Sequence, residues 1–301
     1  MLAPANAGQI AALGAATCWA FSSLAFEAAA RRLGALTLNL IRLVFALGFL
    51  SVATWLVRGL PLPLDASAHA WRWLAVSGLI GFVFGDFCLF RAYVAIGPRL
   101  SMLMMALAPP LTAVLGWLLL GETLTGRTFL GMALTVTGIG LAVMEGGSGG
   151  AGLDGRPRPA PRGLAFGFCG ALGQAAGLVL SKIGMQGYPA ALAATQVRVI
   201  AGILGYLLLF SVFRWWPRVA IAGRDRRALG FASLGAFFGP FLGVTLSLYA
   251  VRLTVAGVAA SLMAMTPVII IPLVWVRGER VGVGGIAGAL VAVAGVALLF
   301  L

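Results

Sequence analysis

The sequence predicts an all-α membrane protein in which ten transmembrane helices form two inverted five-helix repeats around a central cavity. Three observations carry this prediction. Hydrophobic residues make up 61% of the 301 positions and charged residues only 10%, whereas an ordinary soluble domain carries about 25% charged residues. Apolar runs near the length of about 20 residues that spans hydrocarbon recur from end to end. Finally, the second half repeats the first at an offset near 157. Gly121-Glu122 falls on Gly278-Glu279, Pro110 on Pro267, Gly131 on Gly288 and Gly138 on Gly295, with Arg42 falling on Arg198 at 156. Each repeat holds five apolar segments. An odd number forces the second repeat to start from the opposite membrane face, the architecture of secondary transporters with a midplane site between the halves.

In the first repeat, residues 8–145, the spans read 8–29, 36–57, 72–94, 99–120 and 127–145. The first ten residues carry no Lys or Arg, so 8–29 reads as a membrane helix rather than a secretory leader. On it Trp19, Ser22, Ser23 and Phe26 share one face by their i, i+3, i+4, i+7 spacing. The second span carries Asn39 and Arg42. The third carries Asp86, with Phe90 and Tyr93 on its face. The fourth carries Met102 and is interrupted by Pro109 and Pro110, which remove backbone donors and mark a hinge. Residues 146–162, Gly- and Pro-rich, read as a linker.

The second repeat, residues 163–301, has spans 163–184, 190–213, 228–250, 254–276 and 281–301. Gln174, Leu178 and Lys182 form a stripe on the sixth span. Gln196 and Arg198 lie on the seventh, and Thr245, Tyr249 and Arg252 on the eighth. Pro267 breaks the ninth at the depth of Pro110. Paired breaks in corresponding segments point to a transport site or hinge. Between the seventh and eighth spans, Trp215-Trp216-Pro217 reads as an interfacial anchor.

Ionisable groups within membrane helices face the protein interior or water-filled cavities. We therefore take Trp19, Ser22, Ser23, Asn39, Asp86, Phe90, Met102, Gln174, Lys182, Gln196 and Tyr249 as candidate cavity residues. Arg42 and Arg198 either hold the bundle together or meet a substrate anion. Asp86 either pairs with an arginine, holds a substrate ammonium or carries a coupling proton, and Glu27 is the other candidate for that proton. No catalytic residue, metal or cofactor is expected: there is one His, and Cys18, Cys88 and Cys169 are far apart in apolar runs. The +13 net charge comes almost wholly from arginines between spans, where they meet lipid headgroups rather than nucleic acid. Their distribution favours termini outside.

Two blocks, APPLTAVLGWLLLGETLTGRTFLGMALTVTGIGLAV (108–143) and MTPVIIIPLVWVRGERVGVGGIAGALVAVAGVALLF (265–300), together with Arg42 and Arg198, resemble the drug/metabolite transporter superfamily in its EamA-type ten-helix branch. The chain further resembles YddG-type exporters of aromatic amino acids. This resemblance implies a cavity built by helices 1–4 and 6–9, with helices 5 and 10 outside. It also implies alternating access, structural roles for Glu122 and Glu279, and cytoplasmic termini, against the arginine distribution. The expected function is export of aromatic or hydrophobic amino acids and related metabolites by a monomer in the cell (inner) membrane. The alternatives are an organophosphate or nucleotide-sugar carrier, or a non-transporting receptor. The mismatches between repeats, Trp19 against Ala175 and Asp86 without an acidic counterpart, are where substrate choice is expected to lie.

Overall fold

The computed structural model describes residues 4–145, 161–266, 268–269 and 283–300. All regular structure among them is helical: α1 (Pro4–Leu33), α2 (Ala35–Arg58), α3 (Ala68–Gly78), α4 (Asp86–Met105), α5 (Ala108–Leu120), α6 (Gly126–Glu145), α7 (Pro161–Gly184), α8 (Ala191–Val212), α9 (Trp216–Ala222), α10 (Arg226–Ala236), α11 (Val244–Leu253), α12 (Ala256–Met263) and α13 (Val283–Phe300). Two π-helical stretches, Leu79–Gly85 and Phe237–Gly243, join α3 to α4 and α10 to α11. Among the described residues six helices are long and apolar enough to cross a membrane, and Ala108–Leu120 and Val283–Leu299 are shorter apolar helices. The outward faces are apolar: Trp55, Leu56, Trp117, Leu118, Leu204, Leu208 and Leu290 are all exposed. A surface of this kind needs lipid around it.

The second and the fifth helices of the two repeats pack antiparallel on their counterparts. Along α2 and α8, Leu43 meets Gly202, Ser51 meets Gln196, and Arg58 meets Tyr188, so one index rises as the other falls. The same holds for α6 and α13, where Gly131 meets Gly295 and Leu299 while Gly138 meets Gly288 and Ala292. These glycines let two backbones touch, the contact that associates helices where water supplies no hydrophobic drive. Each repeat's first helix packs on the other's third and fourth: α1 on α10, α11 and α12, and α7 on α3, α4 and α5.

Two departures from the sequence reading have physical causes. The third and fourth spans were expected to part near residues 95–98, yet helical structure continues to Met105 and breaks at Ala106-Leu107. The chain nevertheless doubles back within α4, because Ala92 and Met104 both lie within 4 Å of where a Gly167 side chain would begin. A straight helix would separate them by about 18 Å. Pro98, which lacks an amide donor, lies between them. Second, the connection carrying Trp215-Trp216-Pro217 contains the short helix α9, with Trp215 stacked on Phe213 at 5.1 Å and Arg218 over the Trp215 ring.

Candidate functional site

The two π-helical stretches occupy equivalent places, Leu79 corresponding to Phe237 at an offset of 158. Both contain a Gly-x-x-x-Gly, Gly81 to Gly85 and Gly239 to Gly243. π-Helical turns inside helices concentrate at functional sites, and each has an identifiable cause here. Pro240 lacks the amide that α-helical bonding would use. In the first stretch, carbonyls are taken by the other repeat: the Tyr206 hydroxyl donates to Phe82 at 2.8 Å and the Gln174 amide to Gly81 at 3.4 Å. Neither stretch was recognised in the sequence. The matched Gly-x-x-x-Gly pair was the available signal.

Between them lies a cavity of about 360 Å³, within the ~300–1,000 Å³ range of small-molecule sites. One wall is Trp19, Ser22, Ser23 and Phe26 from α1. The lining also includes Phe82, Asp86 and Leu89, with Gln174, Ala175 and Leu178 of α7. Arg42 and Arg198, Pro240, Val244 and Ser247, and the α12 residues Ala260 and Met263 also border the space. The paired helices α6 and α13 stand to one side, of which α6 reaches the cavity through Ile139.

Among the described residues Asp86 is the single carboxylate lining this cavity. One of its oxygens accepts from Arg42 and the other from the Gln174 amide at 2.9 Å. Arg42 also lies over the Phe26 ring at 5.3 Å, and Arg198 over Phe82 at 4.9 Å. Arg198 is 5% exposed and forms no ion pair among the described residues. Its Nε and that of Arg42 have no hydrogen-bond acceptor there. Two guanidinium groups and one carboxylate leave one surplus positive charge.

Trp19, Ser22, Ser23, Asp86, Gln174, Arg42, Arg198 and Pro109 thus meet at one cavity. Other candidates stand elsewhere. Lys182 continues the Gln174–Leu178 stripe but reaches the end of α7, where its Nζ donates to Glu122 at 2.5 Å and to the Thr254 carbonyl at 2.6 Å. Glu122 also accepts from the Ala256 amide at 2.9 Å, capping α12. Gln196 is buried between α2 and the Pro61 carbonyl, to which it donates at 2.7 Å. Asn39 is buried near Tyr206, and Tyr249 is turned outward. Phe90 is half-buried outside the lining. Glu27 pairs with Arg31 at an exposed site outside the cavity lining.

The expected proline interruptions also change character. Pro109 and Pro110 fall in the first turn of α5, where proline is tolerated, so they start a helix after the break at Ala106-Leu107 instead of bending one. Pro110 is exposed. The second repeat breaks equivalently at Ala264-Met265. Pro267, Glu279 and the Met102 side chain lie outside the described residues.

A twice-repeated helical bundle with an apolar rim and an enclosed polar cluster is a multi-pass membrane protein of transporter type. The chain belongs to the EamA-like transporter family, whose model matches twice, over residues 6–144 and 161–301. That is a family of membrane transporters of the drug/metabolite superfamily, not of enzymes. A search of curated proteins finds no match. Among solved structures, one described as "Crystal structure of protein" is similar over 97% of this chain and 95% of its own, with a TM-score of 0.70 and 19% identity. That likeness concerns the fold alone.

Proposed function

We propose that the protein is a secondary exporter of aromatic or hydrophobic amino acids and related small metabolites, working by alternating access. On this reading ten spans form two inverted five-helix repeats, 8–145 and 163–301, joined by a linker at 146–162, in the cell inner membrane. The antiparallel packing of the repeat-related pairs α2/α8 and α6/α13 supports the inversion. The carrying observation is the cavity itself. Trp19 and Phe26 supply an aromatic wall, and the Arg42–Asp86–Gln174–Arg198 cluster supplies polar anchors beside it. A few polar groups in an apolar enclosure suit a ligand with an apolar side group and a charged head.

The breaks at Ala106-Leu107 and Ala264-Met265 are the hinges of this mechanism, and no second copy of the chain is required. A carrier of organophosphates or nucleotide sugars would need several cations converging on phosphate. One surplus arginine and a neighbouring carboxylate disfavour that.

Counterflow in proteoliposomes tests the reading. Vesicles preloaded with unlabelled phenylalanine should accumulate labelled phenylalanine, tyrosine or leucine above protein-free controls. Uptake at the control level across a full amino-acid panel would rule the proposed cargo out. Repeating the assay with and without a pH gradient then asks whether Asp86, the acidic candidate in the cavity lining, couples protons to the exchange.

A further inference from the structure

We infer that the two repeat-related arginines have diverged, and that Arg198 alone is the anchor for a substrate monocarboxylate. This deepens the reading of the cavity given above and rests on it. Arg42 is already neutralised, since its guanidinium donates to Asp86. Arg198 is buried to the same degree as a core side chain, lines the cavity, lies over Phe82 and against Gly81, and makes no ion pair among the described residues. Burying a cation without an anion is costly, and its orphaned Nε donor leaves hydrogen-bonding capacity that an arriving carboxylate can take up. A guanidinium presents donors in a fork that matches a carboxylate.

The charge count sets the valence. Among the described lining residues Arg42, Asp86 and Arg198 are the ionisable side chains with full charge, and together they carry one positive charge. A monocarboxylate balances it, whereas a phosphate dianion would leave an excess negative charge beside Asp86. The amino group of an amino acid meets a different chemistry. Asp86 already has its charge balanced by Arg42, and each of its oxygens already accepts one hydrogen bond, from Arg42 and from Gln174. The lining hydroxyls of Ser23, Thr112, Ser247 and Thr266 spend their protons on the carbonyls of Ala20, Ala108, Val244 and Met263. They offer lone pairs alone, so an ammonium is accepted by neutral oxygens without an ion pair. Recognition therefore requires the carboxylate and tolerates loss of the amine.

The test uses the purified full chain in nanodiscs, with melting temperature and ligand titration as readouts. The probes are L-phenylalanine, 3-phenylpropionate (no ammonium), L-phenylalaninamide (no carboxylate), acetate and inorganic phosphate. Phenylalanine and 3-phenylpropionate should both raise the melting temperature of the wild type and the amide should not. Arg198→Gln should weaken the two carboxylates at least tenfold, with Arg198→Lys intermediate because it keeps charge without the fork. Exposed Arg72→Gln should bind as wild type. Equal stabilisation by the amide, unchanged carboxylate affinity in Arg198→Gln, or tighter binding of phosphate would overturn the inference, as would absence of any stabilising carboxylate. Should Arg198→Gln fail to fold, a wild-type carboxylate affinity in Arg198→Lys overturns it equally. The two readings separate cleanly. Arg198-dependent binding of carboxylates without amino-acid counterflow sinks the proposed cargo alone, and amino-acid counterflow undiminished in Arg198→Gln sinks the anchor alone.

Discussion

The seam between α7 and the first π-helical stretch and the seam between α1 and the second are repeat-related, yet they are built oppositely. In the first, backbone meets backbone: a side chain at Gly173 would begin 2.7 Å from the Gly85 Cα, and one at Gly177 3.1 Å from the Gly81 Cα. Ser77 donates to the Gly177 carbonyl at 2.6 Å, adding a polar stitch. In the second, side chains fill the same gap. Trp19 lies over Gly243, Ser22 over Gly239 and Phe26 over Gly235. The contacts pair Trp19 with the Gly173-Gln174 position rather than with Ala175. One seam is zipped shut, and the other is propped open by the residues that make the cavity's aromatic wall. A duplicated fold acquires a single binding site by treating its two equivalent seams differently.

The residue after each π-helical stretch carries that difference furthest, Asp86 in one and Val244 in the other. Removing the partner of Asp86 is accordingly the most damaging change we expect. Arg42→Gln leaves a buried carboxylate with the Gln174 amide as its remaining hydrogen-bond donor among the described residues, a loss of about 3–5 kcal/mol for a broken buried pair. Unfolding measurements should show this, and the double variant Arg42→Gln/Asp86→Asn should recover much of it, because two neutral groups leave no orphaned charge. A double variant as unstable as the single one would mean that Arg42 acts through packing on Phe26.

Glycine substitutions probe the seams directly. Gly173→Ala drives a methyl into backbone, which cannot turn aside, so it should cost at or above the ~1–3 kcal/mol of core overpacking. Gly239→Ala meets first the Ser22 Oγ, at 2.5 Å, the end of a short rotatable side chain. Pairing it with Ser22→Ala should restore stability, whereas no single side-chain truncation should rescue Gly173→Ala. Equal costs and equal resistance to rescue would erase the distinction between zipped and propped seams.

Much of this was legible before any coordinates. Hydropathy gave the helices, since a span must be apolar over its whole length. The i, i+3, i+4, i+7 spacing of Trp19, Ser22, Ser23 and Phe26 gave one cavity wall. The repeat offset singled out Arg42 and Arg198. Lys182 could not be judged in the same way. It shares a stripe with Gln174 and Leu178, but whether such a stripe ends in a cavity or at another helix's terminus depends on where Glu122 and Ala256 arrive from distant sequence. The π-helical stretches were hidden for a related reason. Their cause in the first repeat is Tyr206 and Gln174, donors that reach across from the other half.

The smallest effects should come from the loop ends of the two seams, which differ in the same sense. At the zipped seam, Asp65 accepts from Tyr188 at 3.0 Å and from Arg58, crossing between repeats. At the propped seam, Asp225 caps α10 through the Ala228 amide at 3.0 Å and pairs with Arg32 at 2.6 Å. Burial pushes the Asp65 carboxyl up, but the Tyr188 and Arg58 hydrogen bonds outweigh it and hold it below its ordinary value. The Arg32 hydrogen bond, then the Ala228 amide, hold Asp225 down as well. A carboxyl depressed by folding contributes stability above its unfolded pKa, about 3.9. That contribution fades as pH falls through the lower folded value. Both ties should therefore survive acidification from pH 7 to about 5 and loosen below about 4. Exposed pairs are also screened by salt, so hydrogen exchange near residue 225 should quicken at high salt more than exchange near residue 65, whose tie includes a neutral phenol. The reverse order would place the more rigid loop at the propped seam and break the parallel between seam and loop.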